Sequence, residues 1–199
     1  MTKSELRKAY LNRRNALSSA ERADKSRKIA ELFFENVDLT DISVLHCFIS
    51  IDKFNEVDTS LITNEIWSRY PHVVIAVPRV HPETDKIESL VYDSEACLIK
   101  GSWGTLEPLE GSLVDPAKID VVLVPLICFD EFGFRVGYGK GYYDRLLALC
   151  RPDCLKIGLS FFAPITRIED VHGWDIPLDQ CVTPDALFII TSTDRRLIA

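Results

Sequence analysis

The densest concentration of reactive and ligand-binding residue types lies between Phe129 and Arg145. Gly137, Gly139 and Gly141 alternate with Tyr138 and Lys140; Arg135 stands just before them and Asp144 just after. Glycines at alternate positions let the backbone turn sharply and approach a ligand closely. The run follows the apolar segment Val121 to Val124 and opens a helix expected from Tyr142. A helix start offers N–H groups without partners and the positive end of a dipole, which suits phosphate. Arg135 and Lys140 add fixed positive charge, and Asp144 could hold a hard cation through oxygen. The general phosphate motifs do not match. A P-loop needs Ser or Thr after its Lys, whereas Lys140 is followed by Gly141, and the order G-Y-G-K-G breaks the dinucleotide pattern G-x-G-x-x-G. On the residues alone, the alternative is a tight strand-to-helix turn that binds nothing.

Charge points the same way. The 199 residues carry a net −7, with a pI near 5.1, which opposes nucleic acid as the main partner. Residues 1–28 nevertheless hold nine Lys/Arg against three Asp/Glu, a local +6 that leaves −13 for the remainder of the −7 total. A basic segment on an acidic protein suggests a local anion site; a solvated basic helix face is the alternative. The six cysteines form no CxxC pair and several sit in apolar runs, so reduced core thiols are expected. Cys150 and Cys154 with a distant histidine would be an irregular zinc set, and the four histidines form no metal-ligand pattern. No stretch approaches the length of a membrane span, and the N-terminus lacks the apolar core of a secretory signal. A cytoplasmic protein is expected, without a membrane or nucleic-acid partner; a monomer is expected, with a dimer the alternative.

The elements that position the glycine run follow from periodicity. Leu6, Ala9, Tyr10, Arg13 and Leu17 predict a helix over 3–17, and Ser18 with Glu21 makes a capping box for a second helix to about Asn36. Strands are expected at Ser43–Ile49, Val73–Val77, Ile87–Tyr92, Val121–Val124, Lys156–Leu159 and Ala186–Ile190. Helices are expected at Thr59–Arg69, capped by Asp58 or Thr59, and at Tyr142–Cys150. Alternating strands and helices predict one α/β domain over 1–199: three layers around a mostly parallel, twisted sheet flanked by helices, of the Rossmann-like kind. Lys100–Ala117 and Phe161–Pro184 read as long loops, which are often functional.

The segment Gly133-x-Arg135-x-Gly137-x-Gly139-Lys140-Gly141-Tyr142-Tyr143-Asp144, preceded by Val124-Pro125 and Phe129-Asp130, resembles the signature of the 5-formyltetrahydrofolate cyclo-ligase (methenyltetrahydrofolate synthetase) family. The family often has Gly after the proline and Ala before the phenylalanine; Leu126 and Cys128 stand there, read as packing changes. Lys3-Ser-Glu-Leu-Arg7, Glu56-Val-Asp-Thr59, Ser102-Trp103-Gly104 with Glu107-Pro108, and Trp174-Asp175-Ile-Pro177 with Asp179 resemble further family segments in the right order.

The resemblance implies ATP- and magnesium-dependent conversion of 5-formyltetrahydrofolate to 5,10-methenyltetrahydrofolate, with ADP and phosphate released. It implies that the formyl oxygen is phosphorylated, N10 attacks the activated carbon, and phosphate leaves as the ring closes. Lys3 and Arg7, one helical turn apart, would grip phosphates together with Arg135, Gly137, Tyr138, Gly139, Lys140, Gly141, Tyr142, Tyr143 and Asp144. Lys140, Arg135 and Tyr143 would serve the reaction itself. Asp144 and Asp175 would hold magnesium. Glu56 would accept from the donor-rich pterin edge, and Ile49, Trp103 and Tyr143 would line the folate site. Each role has a plainer alternative: surface charges for Lys3 and Arg7, a helix cap for Glu56, a core ring for Trp103, a loop brace for Asp175. The rival functions are a diverged ligase acting on another formamide or carboxylate, a non-catalytic nucleotide-binding regulator, and an RNA-binding module.

Overall fold

In a computed structural model, which describes residues 1–191, the chain forms four α-helices among the described residues: α1 (Lys3–Asn15), α2 (Ser19–Asn36), α3 (Ser60–Arg69) and α4 (Tyr142–Leu149). The main strands are β1 (Val44–His46), β2 (Val74–His81) and β3 (Lys86–Val91). Short strands follow: β4 (Leu98–Lys100), β5 (Leu106–Pro108) and β6 (Leu113–Val114). Then come β7 (Val121–Pro125), β8 (Cys128–Phe129), β9 (Arg135–Val136), β10 (Leu155–Leu159), β11 (Gln180–Val182) and β12 (Leu187–Ile189).

Eight strands make one sheet in the order β12-β11-β10-β7-β1-β2-β3-β6. Its centre, from β11 to β2, is parallel, and β12, β3 and β6 add antiparallel margins. In β7 Val121 and Leu123 face the layer of α2 and α3, beside Ile29, Phe33, Ile62 and Ile66. Val122 and Val124 face the other layer, with Leu146 and Leu147 of α4. A strand buried on both faces reads as an unbroken apolar run, as the sequence of β7 does. The three layers and the mostly parallel sheet agree with the expectation.

The connections run outward in opposite directions from the boundary of β1 and β7: β1 leads through α3 to β2 on one side, while β7 leads through α4 to β10 on the other. Such a switch point leaves a crevice beyond the carboxyl ends of the strands, where open α/β sheets bind ligands. Helix α1 lies near this end, its Leu6 packed with Cys128 of β8, Val136 of β9 and Ile168.

Several boundaries differ from expectation for identifiable reasons. Strand β1 ends at His46, although Cys47 N–H still bonds the Ala76 carbonyl. Strand β2 runs through Pro78 to His81. Pro78 faces the side that β1 has already left, where no N–H is needed, and the next group on that side, Val80 N–H, donates to Glu107 Oε1 at 3.4 Å. Helix α1 stops at Asn15, and its start carries a Thr2–Glu5 capping box. The Ser18–Glu21 box caps α2 as predicted. Thr59 occupies the cap position of α3, but its hydroxyl donates to Phe48 O instead, while Asp58 Oδ1 accepts from Ser60 N–H. The two long loops are not featureless: the first contains β5 and β6, the second β11.

Candidate functional site

A cleft of about 710 Å³ opens at the switch point. Phe48 and Ile49 beyond β1, Pro78 and Val80 of β2, and Pro125 at the end of β7 form its sheet side. The glycine run forms a second wall, α1 contributes Lys3, Ser4 and Arg7, and Asp170, His172, Trp174 and Asp175 close the rim.

The glycine run earns its composition at two positions. Gly139 has φ +90°, and a Cβ there would meet Arg7 Nη2 at 3.4 Å. Gly141 is the left-handed cap of α4, φ 67°, with no side chain capping the helix. The first bond of α4 runs from Arg145 N–H to Gly141 O, so the earlier N–H groups of the turn are outside the helical ladder, at the cleft. Arg7 lies against the loop, its Nε donating to Gly137 O at 2.7 Å. Lys140 lines the cleft nearby.

Two carboxylates are braced by cations. Asp144 Oδ1 accepts from Arg135 Nη2 at 2.8 Å and Ile176 N–H at 3.1 Å. The Arg135 side chain, only 7% exposed, also donates to Ile176 O. Asp175 Oδ2 accepts from Lys3 Nζ and from His172 N–H at 2.6 Å, and Asp170 Oδ1 takes Lys3 N–H, also at 2.6 Å. In both metal candidates the hydrogen bonds converge on one oxygen. Among the described residues no cluster of three or more His, Cys, Asp or Glu side chains could hold a metal ion; a magnesium ion sharing phosphate oxygens needs only one or two carboxylates.

The other end of the cleft is enclosed. Glu56 takes a hydrogen bond from Ile51 N–H at 2.8 Å on Oε2 and one from Tyr138 O–H at 2.6 Å on Oε1. Burial pushes its carboxyl above the ordinary glutamate range, opposed by those two bonds and by the charge of Arg14. The Phe54 and Tyr138 rings pack at 5.1 Å beside it. Tyr143 turns inward from α4; its hydroxyl has no hydrogen-bond partner among the described residues, and burial drives its pKa well up.

The cleft thus joins a cationic, glycine-lined end to a half-buried acceptor beside aromatic rings. Residues 1–184 match the model of the 5-formyltetrahydrofolate cyclo-ligase family. The chain belongs to that family. It is similar to the 5-formyltetrahydrofolate cyclo-ligase of Escherichia coli K12, 28% identical over 180 residues, covering 88% of this chain and 97% of the relative. Its fold matches the solved 5,10-methenyltetrahydrofolate synthetase of Aquifex aeolicus at TM-score 0.82 and 33% identity, over 96% of this chain and 94% of that one. The Mycoplasma pneumoniae 5,10-methenyltetrahydrofolate synthetase structure matches at TM-score 0.71 and 25% identity, over 92% and 99%. The protein is therefore an enzyme of the cyclo-ligase family.

The cyclo-ligase fold gathers nearly all the residues that the sequence singled out. Lys3, Arg7, Ile49, Glu56, Arg135, the run from Gly137 to Asp144, and Asp175 all line the one cleft. Glu56 is not a cap of α3, and Asp175 does brace a loop while facing the cleft. Trp103 stands in a short turn, Ser102–Gly104, but its side chain lies outside the described part of the molecule. Three contributors carried no signal of their own in the sequence: Arg14, which is buried; Phe54; and Asp170. Arg14 is hidden among the basic residues of α1, where only its partners across the fold distinguish it. No helix among the described residues is long and apolar enough to cross a membrane.

Proposed function

We propose that this enzyme cyclises 5-formyltetrahydrofolate to 5,10-methenyltetrahydrofolate, consuming ATP and releasing ADP and phosphate. One observation carries the reading: a single cleft holds both a phosphate-suited end and an enclosed carboxylate suited to a donor-rich ring. At the first end Lys3, Arg7, Lys140 and the α4 start neutralise and align the nucleotide phosphates. Phosphoryl transfer demands mainly this positioning and charge neutralisation. At the second end Glu56 accepts from the pterin edge, with Phe54 and Tyr138 offering flat apolar faces.

In this arrangement the formyl oxygen of the folate takes the γ-phosphoryl group, which makes the formyl carbon electrophilic. N10 then attacks that carbon, and the oxygen departs with phosphate as the methenyl bridge closes. Ile49, Pro78 and Val80 supply an apolar wall that keeps water from the activated carbon. Asp144 and Asp175 would hold magnesium through the oxygens not already engaged, together with phosphate oxygens, and the ion would supply further charge neutralisation. We place the enzyme in the cytoplasm as a monomer acting on small molecules. The net charge of −7 supports the absence of a nucleic-acid partner.

The test mixes purified protein, 5-formyltetrahydrofolate, ATP and magnesium and follows the methenyl product by absorbance. Product that requires all three ligands supports the reading. ATP binding without product under any folate concentration would remove the folate assignment and leave the phosphate end.

A further inference from the structure

Arg14, near the end of α1, is only 3% exposed. A cation taken out of water is costly unless its charge reaches a partner. Among the described residues no carboxylate pairs with Arg14 directly. Its Nη2 donates to Tyr138 Oη at 2.6 Å, its Nη1 to Leu126 O at 3.5 Å, and its Nε has no partner among the described residues. The charge instead reaches a carboxylate through the phenol, because Tyr138 O–H donates to Glu56 Oε1 at 2.6 Å. Guanidinium cannot accept a hydrogen bond, and a phenol has one proton to give, so the direction of this chain is fixed. Each link polarises the next.

Three separate parts of the fold meet here: α1, the glycine run and the turn before α3. Asn55 Nδ2 donates to Asn15 Oδ1 at 3.1 Å, a second tie between α1 and that turn. Tyr138, 36% exposed, and Glu56 both line the cleft, and Arg14 lies buried behind them.

We infer that Arg14 is a positioning residue for the folate end of the cleft: acting through Tyr138, it holds the Glu56 carboxylate in one orientation, as an acceptor. This rests on the reading of Glu56 as the folate acceptor. Among the described residues, the titratable and charged groups that interact with Glu56 are Arg14 from α1, Tyr138 from the glycine run and Tyr143 from α4; Asp52 and Lys53 stand on the adjacent turn. Burial raises the Glu56 carboxyl, while the Tyr138 bond and the Arg14 charge pull it down. Removing either raises it further. The acid limb of folate turnover then moves to higher pH, because a protonated Glu56 loses accepting capacity. A residue that only stabilised the fold would lower the melting temperature and leave that limb in place.

The experiment measures steady-state kinetics of the full chain across pH, varying 5-formyltetrahydrofolate and ATP separately, for wild type, Tyr138→Phe, Arg14→Met and Arg14→Lys. Tyr138→Phe is expected to raise the folate KM about tenfold or more, as for loss of a charge-assisted hydrogen bond. It should leave the ATP KM within about twofold and shift the acid limb to higher pH. Arg14→Lys, which keeps the charge, should retain more folate affinity than Arg14→Met. An active wild type whose Tyr138→Phe variant keeps its folate KM and acid limb overturns the relay alone. A wild type that makes no methenyl product overturns the functional reading, and the relay with it. If Arg14→Met does not fold, Tyr138→Phe still decides, since it removes one oxygen from a partly exposed ring.

Discussion

At the scale of single residues, the two ends of the cleft make separable demands. Lys140 lines the phosphate end. Lys140→Ala should raise the apparent KM for ATP and lower turnover, since a charge placed for developing phosphate charge acts in the transition state as well as in binding. Unchanged kinetics would remove Lys140 from that role. Glu56→Gln keeps the shape but replaces one accepting oxygen with a donor, so Tyr138 or Ile51 N–H loses its partner. It should weaken folate binding by about 1.5–3 kcal/mol, the range for hydrogen bonds to a charged group, and hardly touch ATP. Equal losses for both ligands, read by titration calorimetry, would contradict the assignment. The basic N-terminus divides along the same line. Lys3 and Arg7 face the cleft and Arg14 is buried behind it, whereas Arg27 and Lys28 pair with Asp24 and Glu31 on the solvent face of α2. Composition announced the charge; only the fold assigns it.

At the scale of elements, legibility followed the strength of local signals. Helix starts were readable because a side chain three residues on completes the cap, as Ser18 and Glu21 do. The buried strand β7 was readable because both faces are apolar. Strands of two or three residues such as β6, β8, β9 and β11 were not, since pairing across the fold defines them rather than any period of their own. Pro78 misled for a related reason: its neighbour on one side had ended, which no local pattern records. The glycine run was legible as a site, but its link through Tyr138 to Glu56 spans 82 positions. Strand packing also explains Leu126, where the family often has glycine. A Cβ on Gly158 of β10 would stand 2.7 Å from Leu126 Cδ2 and 2.6 Å from Leu178 Cδ1. Leu126 therefore fills the space that Gly158 leaves open. Gly158→Ala should cost about 1–3 kcal/mol by overpacking. Combined with Leu126→Ala, it should cost less than the sum of the two single changes, because the two sites share that space. Strict additivity in denaturant unfolding would show that the contact does not govern β10.

At the scale of the whole molecule, the sheet holds a histidine in a place that admits no charge. His46, at the end of β1, is 0% exposed, and both ring nitrogens lack partners among the described residues. Its ring meets Tyr143 edge-on at 5.8 Å. Burial lowers its pKa to about 3. Below about pH 6.5 the unfolded chain therefore takes up a proton that the folded chain refuses, so stability falls as pH drops from there toward 3. By this linkage His46 alone removes about 2 kcal/mol between pH 7.5 and pH 5. Glu56 and Asp130 act in the opposite sense, because burial raises their carboxyls and the folded state then holds protons more readily than the unfolded one. The raw pH profile of the protein therefore mixes contributions of both signs, and a single melting curve does not isolate His46. The comparison with His46→Leu does, since the carboxyls are common to both proteins and cancel. Leucine also leaves no unpartnered nitrogens, so near pH 7.5 the variant should be at least as stable as wild type. Near pH 5 its advantage should grow by about 2 kcal/mol in denaturant unfolding. An advantage that is the same at both pH values would mean that His46 finds a charge-tolerating partner, and the sealed state of the sheet beneath Tyr143 would have to be abandoned.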